Sequence, residues 1–117
     1  MASTIPTELG VTLAGTTYLD LDAEGYTGTI PTQLGLLTDI EDYFQLGRQT
    51  LTGSIPTQLG KLTKLTYDFE VYENSLTSTI PTQLGKFTGL TAWFQLQDNV
   101  LCGDIPTEVC KYPPRMN

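Results

Sequence analysis

Histidine is absent from this chain, tryptophan occurs once, cysteine occurs twice, and only six residues are basic. Without histidine the commonest metal ligand and catalytic base is missing, and two thiols alone do not make a zinc site. The formal charge of -7 disfavours nucleic acids and anionic membrane surfaces, because both attract clusters of Lys and Arg. We therefore expect no metal, no cofactor, no nucleic-acid partner and no membrane partner.

A long apolar run is also missing. No stretch approaches the roughly 18 apolar residues that a membrane-spanning helix needs. The opening residues, MASTIPTELG, contain neither a basic n-region nor an apolar h-region, so no signal peptide is predicted. An intracellular protein and a mature fragment with a new initiator Met would both begin in this way, so the compartment stays open.

Repetition is what the sequence has in abundance. The letters IPTQLG stand at 30–35, 55–60 and 80–85, with the variants IPTELG at 5–10 and IPTEV at 105–109. The proline of each copy lies 25 residues after the one before it. A fixed period in the range of about 20–29 residues predicts a solenoid with one supersecondary unit per coil.

Each repeat also contains two apolar residues at alternate positions. These pairs are Leu19 and Leu21, Phe44 and Leu46, Phe69 and Val71, and Phe94 and Leu96. Alternation over so short a stretch is typical of a half-buried strand. Because such a strand recurs once per coil in the same direction, the sequence predicts a parallel sheet.

The stretch FQLGRQTLTGSIPTQLGKLTKL (44–65) resembles the plant-type leucine-rich repeat, in which a strand LxLxxNxL precedes xGxIPxxLGxLxxL. The resemblance covers residues 5–109 and recurs four times. It implies an α/β solenoid with a short parallel β-sheet on the concave side and 3₁₀ or helical turns on the convex side. Residues 1–110 would form a single domain of four full repeats plus a C-terminal cap, and residues 111–117 a tail.

Two departures from that pattern carry structural predictions. Each repeat has one residue more than is usual, just before the strand, and a bulge should absorb it. The Asn that normally bonds neighbouring backbone is present as Asn74 and Asn99 but is replaced by Glu24 and Gln49 in the first two copies. We therefore expect a weaker polar ladder at the N-terminal end.

The two cysteines, Cys102 and Cys110, lie where the last coil must be closed off from water. Extracellular leucine-rich repeats often end in a disulfide-bearing cap, so the resemblance suggests a disulfide here and favours an extracellular location. Free thiols are the alternative.

The strand residues predicted to face solvent differ from copy to copy and include aromatic, amide and carboxylate groups. Such a mixture is the composition of a binding surface, although free variation and cross-strand packing would also produce it. An acidic concave face favours a cationic protein or peptide. The predicted ligand-binding residues are Tyr18, Asp20, Asp22, Tyr43, Gln45, Asp68, Glu70, Tyr72, Trp93, Gln95 and Gln97.

Catalytic and metal-binding interpretations do not fit the sequence. The stretch DLDAEG (20–25) begins like a calcium loop, but Pro31 stands at the twelfth position and Glu24 at the fifth. No Ser or Cys is placed by the repeat beside a Lys or carboxylate that could activate it. We predict a non-catalytic recognition module with no metal site.

Two alternatives stay open. The chain could be a structural scaffold that associates with itself as a homodimer, since solenoid ends expose sheet edges. Rows of hydroxyl groups could instead bind ice or carbohydrate, although Thr is common at this corner of the repeat. The rows predicted from the period are Thr27, Thr52 and Thr77, then Thr29, Ser54 and Thr79, with Thr7, Thr32, Thr57 and Thr82 beyond the prolines.

Overall fold

The computed structural model describes residues 3–101. The predicted cap at Cys102 and Cys110 and the tail at 111–117 lie outside this range. We number the coils of the solenoid from the Ile of each IPT segment: coil 1 is 5–29, coil 2 is 30–54, coil 3 is 55–79 and coil 4 is 80–101.

Short elements alternate along the described residues. A single α-helix, α1, spans Leu9–Thr12, and three 3₁₀ helices span Thr32–Leu36, Thr57–Lys61 and Thr82–Lys86. The strands are β1 (Ser3–Thr4), β2 (Leu19–Asp20), β3 (Tyr26–Thr29), β4 (Tyr43–Gln45), β5 (Thr50–Thr52), β6 (Asp68–Glu70) and β7 (Trp93–Gln95).

One sheet contains β2, β4, β6 and β7 in that order, and all its strands are parallel. Cα partners in this sheet are 25 residues apart, as in the series Leu19, Phe44, Phe69 and Phe94. The predicted apolar alternation therefore places equivalent side chains of successive coils next to one another.

A bulge precedes each of β4, β6 and β7. The carbonyl of Thr17 accepts hydrogen bonds from two consecutive amides, those of Glu41 and Asp42, both at 3.0 Å. The carbonyls of Asp42 and Tyr67 accept pairs of consecutive amides from the next coil in the same way. Two amides on one acceptor is the pattern that an inserted residue produces.

The 3₁₀ helices follow from the IPTQLG motif. Pro31, with φ -64° and ψ 134°, holds the chain extended just before the first of them begins. The leucine of the motif is fully buried in coils 2 to 4. Gly35 allows the coils to stack closely, because a Cβ there would lie 2.5 Å from the backbone oxygen of Gln58.

Aromatic side chains form the centre of the core. Phe44 stacks on Phe69 with ring centroids 5.3 Å apart, and Phe94 meets Phe69 edge-on at 5.5 Å. Phe87, from the turn opposite the sheet, packs on the same ring at 5.1 Å. These four rings are at most 1% exposed, so coils 2, 3 and 4 share one apolar interior.

A polar ladder closes the core on the side where the strands end. Asn74 Oδ1 accepts a hydrogen bond from the Leu51 amide at 3.1 Å. Its Nδ2 donates to the carbonyls of Leu46, Val71 and Tyr72 at 3.0–3.2 Å. A single buried amide thus satisfies backbone groups of two coils at once.

A second parallel sheet, β1–β3–β5, lies at the corner that leads into the IPT segment. Its Cα partners are 23 residues apart: Thr27 pairs with Thr50, and Thr29 pairs with Thr52. The prediction that Thr27 aligns with Thr52 is therefore wrong for this sheet. The strands cross the stacking direction obliquely, and a slip of two residues per coil keeps alternate side chains on the same side.

Candidate functional site

The candidate residues occupy three rows across the four-stranded sheet, and we call this surface the concave face. The pairing of the strands aligns the first two rows. The third row is aligned by hydrogen bonds from one coil to the next, in which the amides of Ala23, Arg48 and Glu73 donate to the carbonyls of Gly47, Tyr72 and Gln97. The first row is Tyr18, Tyr43, Asp68 and Trp93; the second is Asp20, Gln45, Glu70 and Gln95; the third is Asp22, Gly47, Tyr72 and Gln97.

Two of the carboxylates are more buried than the sequence predicts. The strand pattern predicts that every residue of these rows faces solvent, but Asp68 is 4% exposed and Glu70 is 8% exposed. Gln45 Nε2 donates to Asp68 Oδ2 at 3.3 Å and to Glu70 Oε2 at 3.5 Å, and the Trp93 amide donates to Asp68 Oδ1 at 3.2 Å. Neighbouring coils therefore cover this carboxyl pair.

Proximity changes the acidity of the carboxyl pair. Burial, a hydrogen bond to the Asp68 carboxyl, and the charges of Asp68 and Asp22 raise the pKa of Glu70 from 4.5 to about 7. The hydrogen bond from Gln45 acts in the opposite direction. Glu70 therefore keeps its proton to a higher pH than an exposed glutamate does.

Gly47 is a part of the site that the sequence did not reveal. Its amide donates to Asp22 Oδ1 at 2.6 Å, and the Tyr72 ring lies across it. A Cβ at Gly47 would come within 2.5 Å of Tyr72 Cε1. Because Gly47 has no side chain, the Tyr72 ring can extend across its strand towards coil 1. This role of Gly47 depends on a residue of the next coil, so the sequence of its own coil does not indicate it.

Aromatic groups stand at both ends of the concave face. Tyr18, which is 50% exposed, and Tyr43 form a tyrosine pair with ring centroids 5.2 Å apart and planes tilted by 37°. Trp93 is exposed in coil 4. Tyr67 is also exposed beside the bulge, where its position before the strand gave no sequence signal. The polar second row runs between these aromatic ends.

Across residues 3–101, no group of three metal-ligating side chains occurs. The same stretch contains no helix long and apolar enough to cross a membrane. The chemistry of the concave face thus consists of rings, amides, hydroxyls and carboxylates.

Several solved structures share this architecture. One is the BIR3–SERK2 complex from Arabidopsis thaliana, with 30% identity over 99% of this chain and 62% of that chain, at a TM-score of 0.81. Another is the LRR ectodomain of the Arabidopsis membrane receptor kinase GASSHO1/SCHENGEN3 with CASPARIAN STRIP INTEGRITY FACTOR 2, with 30% identity, coverages of 98% and 13%, and a TM-score of 0.88.

A third similar structure is a plant ice-binding protein, with 28% identity over 98% of this chain and 37% of that chain, at a TM-score of 0.86. No protein-family model matches the chain, and no curated protein matches it in sequence. This chain spans less than two thirds of the length of these solved chains. It folds as a leucine-rich repeat solenoid, with its parallel sheet on the concave side and its 3₁₀ turns on the convex side.

Proposed function

We propose that the chain is a non-catalytic recognition module that binds a protein or peptide through the concave face. One observation carries this proposal: a rigid sheet presents exposed rings at both ends of a row of hydrogen-bonding groups. Rings of this kind supply contact area at low conformational cost, and the polar row supplies orientation. We also assign the repeat to the plant-type subclass and the protein to the extracellular space. The similar GASSHO1/SCHENGEN3 structure, an LRR ectodomain of a plant membrane receptor kinase, supports both assignments.

Two of the similar structures support this assignment by what they contain. BIR3 and SERK2 are in complex with one another, and the GASSHO1/SCHENGEN3 ectodomain is in complex with CASPARIAN STRIP INTEGRITY FACTOR 2. The same kind of partner suits a concave sheet here.

Electrostatics favours a cationic partner. Asp20, Glu73 and Asp98 are exposed on or beside the concave face, and Arg48 is the cation at its rim. An excess of carboxylates speeds the encounter with a basic surface, and Trp93 can receive an ammonium or guanidinium group on its ring.

The test is selection of peptides from a displayed random library against the wild-type chain, followed by binding measurements on variants. Trp93→Ala should weaken binding of enriched peptides by roughly tenfold or more, because exposed Trp residues dominate such contacts. The matched control, Thr52→Leu with Thr77→Leu, lies away from the concave face and should leave binding unchanged. If the enriched peptides bind Trp93→Ala as well as the wild-type chain but do not bind the control variant, the binding site is not on the concave face.

A second candidate function, ice binding, is favoured by the hydroxyl groups of the corner sheet. There Thr27 pairs with Thr50 and Thr29 with Thr52, which sets hydroxyls at the regular spacing of adjacent strands, about 4.8 Å. The plant ice-binding protein shares the fold. Inhibition of ice recrystallisation that is lost in a Thr29→Leu, Thr52→Leu variant but kept in Trp93→Ala would establish it.

A further inference from the structure

One position on the convex side changes character along the solenoid. In successive coils it is Val11, Leu36, Lys61 and Lys86. Val11 is 70% exposed and Leu36 is 55% exposed, whereas the two exposed lysines line one groove of about 320 Å³. At this one position the convex side is therefore apolar in coils 1 and 2 and cationic in coils 3 and 4, and the exposed Asp39 of coil 2 pairs with Lys64 of coil 3 at 3.0 Å.

The concave face changes character in the same order. Coils 1 and 2 present the tyrosine pair. Coil 3 carries the carboxyl pair, with the exposed Glu73 at the rim, and coil 4 carries Trp93 with the exposed Asp98 at the rim. The rim of the concave face thus changes from Ala23 and Arg48 in coils 1 and 2 to the exposed acids Glu73 and Asp98 in coils 3 and 4, where the convex position becomes lysine; Asp20 is a further exposed acid in coil 1.

The two sequences of surfaces belong to the same coils, so they share one order and one direction. A simple translation of one molecule, without rotation, would bring coil 1 of its convex side over coil 1 of a neighbour's concave face. The remaining coils would then match in register, because adjacent coils are about 4.8 Å apart on the sheet.

We propose that a second copy of this chain is a partner of the concave face, with its convex side docked on that face coil on coil. The inference rests on the proposed function, because it names a partner for the same surface. In this register Val11 and Leu36 cover the tyrosine pair, and apolar surface is removed from water at both coils.

The charged coils match as well. Lys61 of the incoming copy lies opposite the exposed Glu73. Lys86 lies opposite Trp93 and Asp98, where a ring and a carboxylate both attract an ammonium group. Arg48, the cation at the rim, belongs to coil 2 and so does not oppose a lysine of this convex row.

Contact of this kind is heterologous, because each molecule uses two different surfaces. Translation does not close on itself, so each new copy leaves one concave and one convex surface free. The product is an open stack and not a closed dimer. Coil 1 is the least well matched, because Glu8 on the convex side comes near Asp20 and Asp22.

Charge reversal tests each surface separately. Lys61→Glu with Lys86→Glu reverses the convex side, and Glu73→Lys with Asp98→Lys reverses the concave rim. All four side chains are exposed. The rim position accepts a cation without strain, since Arg48 occupies it in coil 2 with φ 57°, beside φ 53° and 59° in coils 3 and 4.

Sedimentation velocity supplies the measurement. The average mass of the wild-type chain should rise from micromolar to millimolar concentration without levelling at a dimer, and it should fall as salt is added. Each double variant should associate at least roughly tenfold more weakly. An equimolar mixture of the two double variants, and a single chain carrying all four substitutions, should associate again because the charges are again complementary.

A wild-type chain that stays monomeric throughout this range overturns the inference, as does a mass that levels at a dimer. Association that ignores all four substitutions overturns it too. If a monomeric chain still binds library peptides through Trp93, the recognition function stands and self-stacking falls. Stacking that follows the charge pattern while no peptide binds would keep this inference and restrict the concave face to copies of the chain.

Discussion

In coils 3 and 4 the polar ladder position holds Asn74 and Asn99, whereas coil 2 has Gln49 and coil 1 has Glu24. Asn99 repeats the bonding of Asn74, with one amide donated to it and three carbonyls accepting from it. Gln49 accepts from the Tyr26 amide and donates to a single carbonyl, that of Leu46. One additional methylene moves the amide out of reach of the other carbonyls.

The corner residues differ in the opposite sense. Gly28 in coil 1 and Gly53 in coil 2 have φ 76° and 77°, the left-handed conformation that suits glycine, while Ser78 in coil 3 has φ 69°. Coil 3 thus has the better ladder residue and the more strained corner. Equivalent positions in one solenoid can be satisfied by different trade-offs, because each coil needs only its immediate neighbours.

The corner also shows a paired change. A Cβ at Gly28 would lie 2.9 Å from the Thr4 methyl, and one at Gly53 would lie 3.0 Å from the Thr29 methyl. In coil 3, where Ser78 does carry a Cβ, the residue in the place of that threonine is Ser54. The methyl is missing where the Cβ needs its space.

Among the changes that test this comparison between coils, loss of the ladder amide in coil 3 should have the largest effect on the free energy of unfolding. Asn74→Ala removes the side-chain acceptor of the buried Leu51 amide and one of the donors to each of three carbonyls, which should lower the free energy of unfolding by about 3 kcal/mol. Gln49→Ala, the matched change in coil 2, should cost about half as much. Urea unfolding of both variants measures the difference, and equal losses would mean that the ladder is uniform.

The carboxyl pair predicts a pH dependence that coil 2, with the neutral Gln45, does not share. The pKa of Glu70 is raised in the folded state, so folding favours its protonated form. Its contribution is fully present below pH 4.5 and is lost as pH rises to about 7. From pH 4.5 to 8 the wild-type chain should lose about 3 kcal/mol relative to Glu70→Gln. A difference in unfolding free energy between the two chains that stays constant with pH would contradict the raised pKa of Glu70.

Restoring the missing methyl beside Ser78 should destabilise the corner between coils 2 and 3. Ser54→Thr places a methyl group about 3 Å from the Cβ of Ser78, by analogy with coils 1 and 2, and such overpacking costs about 1–2 kcal/mol. The double variant Ser54→Thr, Ser78→Gly reproduces the arrangement of coil 2 and should recover the loss. Thermal unfolding that shows two additive effects would argue against a steric pairing.

The smallest effect should come from Ser78→Gly alone. Relief of the left-handed conformation should stabilise the chain by about 0.5–1 kcal/mol, reduced by the greater freedom of glycine in the unfolded state. Thermal unfolding is again the measurement, and a lower melting temperature would show that the serine hydroxyl has a bonding role at this corner.

Repetition made much of this architecture predictable. The period and the alternating apolar residues predicted a solenoid with a parallel concave sheet, and the fold is that of a leucine-rich repeat. The 25-residue period also predicted that Phe44, Phe69 and Phe94 lie side by side, because it places each of them at the same position of its strand.

Features that depend on two coils at once were not predictable. The 23-residue register of the corner sheet depends on strand tilt, which no residue pattern encodes. The burial of Asp68 and Glu70 depends on neighbouring coils, where Gln45 donates hydrogen bonds to both carboxylates and the Trp93 amide donates to Asp68. The role of Gly47 exists only because the Tyr72 ring lies across it. Sequence periodicity identifies which residues are equivalent, but not how neighbouring side chains lean.

The rim position has a consequence for how such a chain can diversify. Ala23, Arg48, Glu73 and Asp98 share nearly the same left-handed backbone, with φ between 53° and 59°, although their side chains differ in size and sign. The backbone there does not select the side chain. A point mutation between unbranched side chains at any of these four positions can therefore change the charge of the rim without a change of backbone conformation, and under the proposed function a new specificity would need only one substitution.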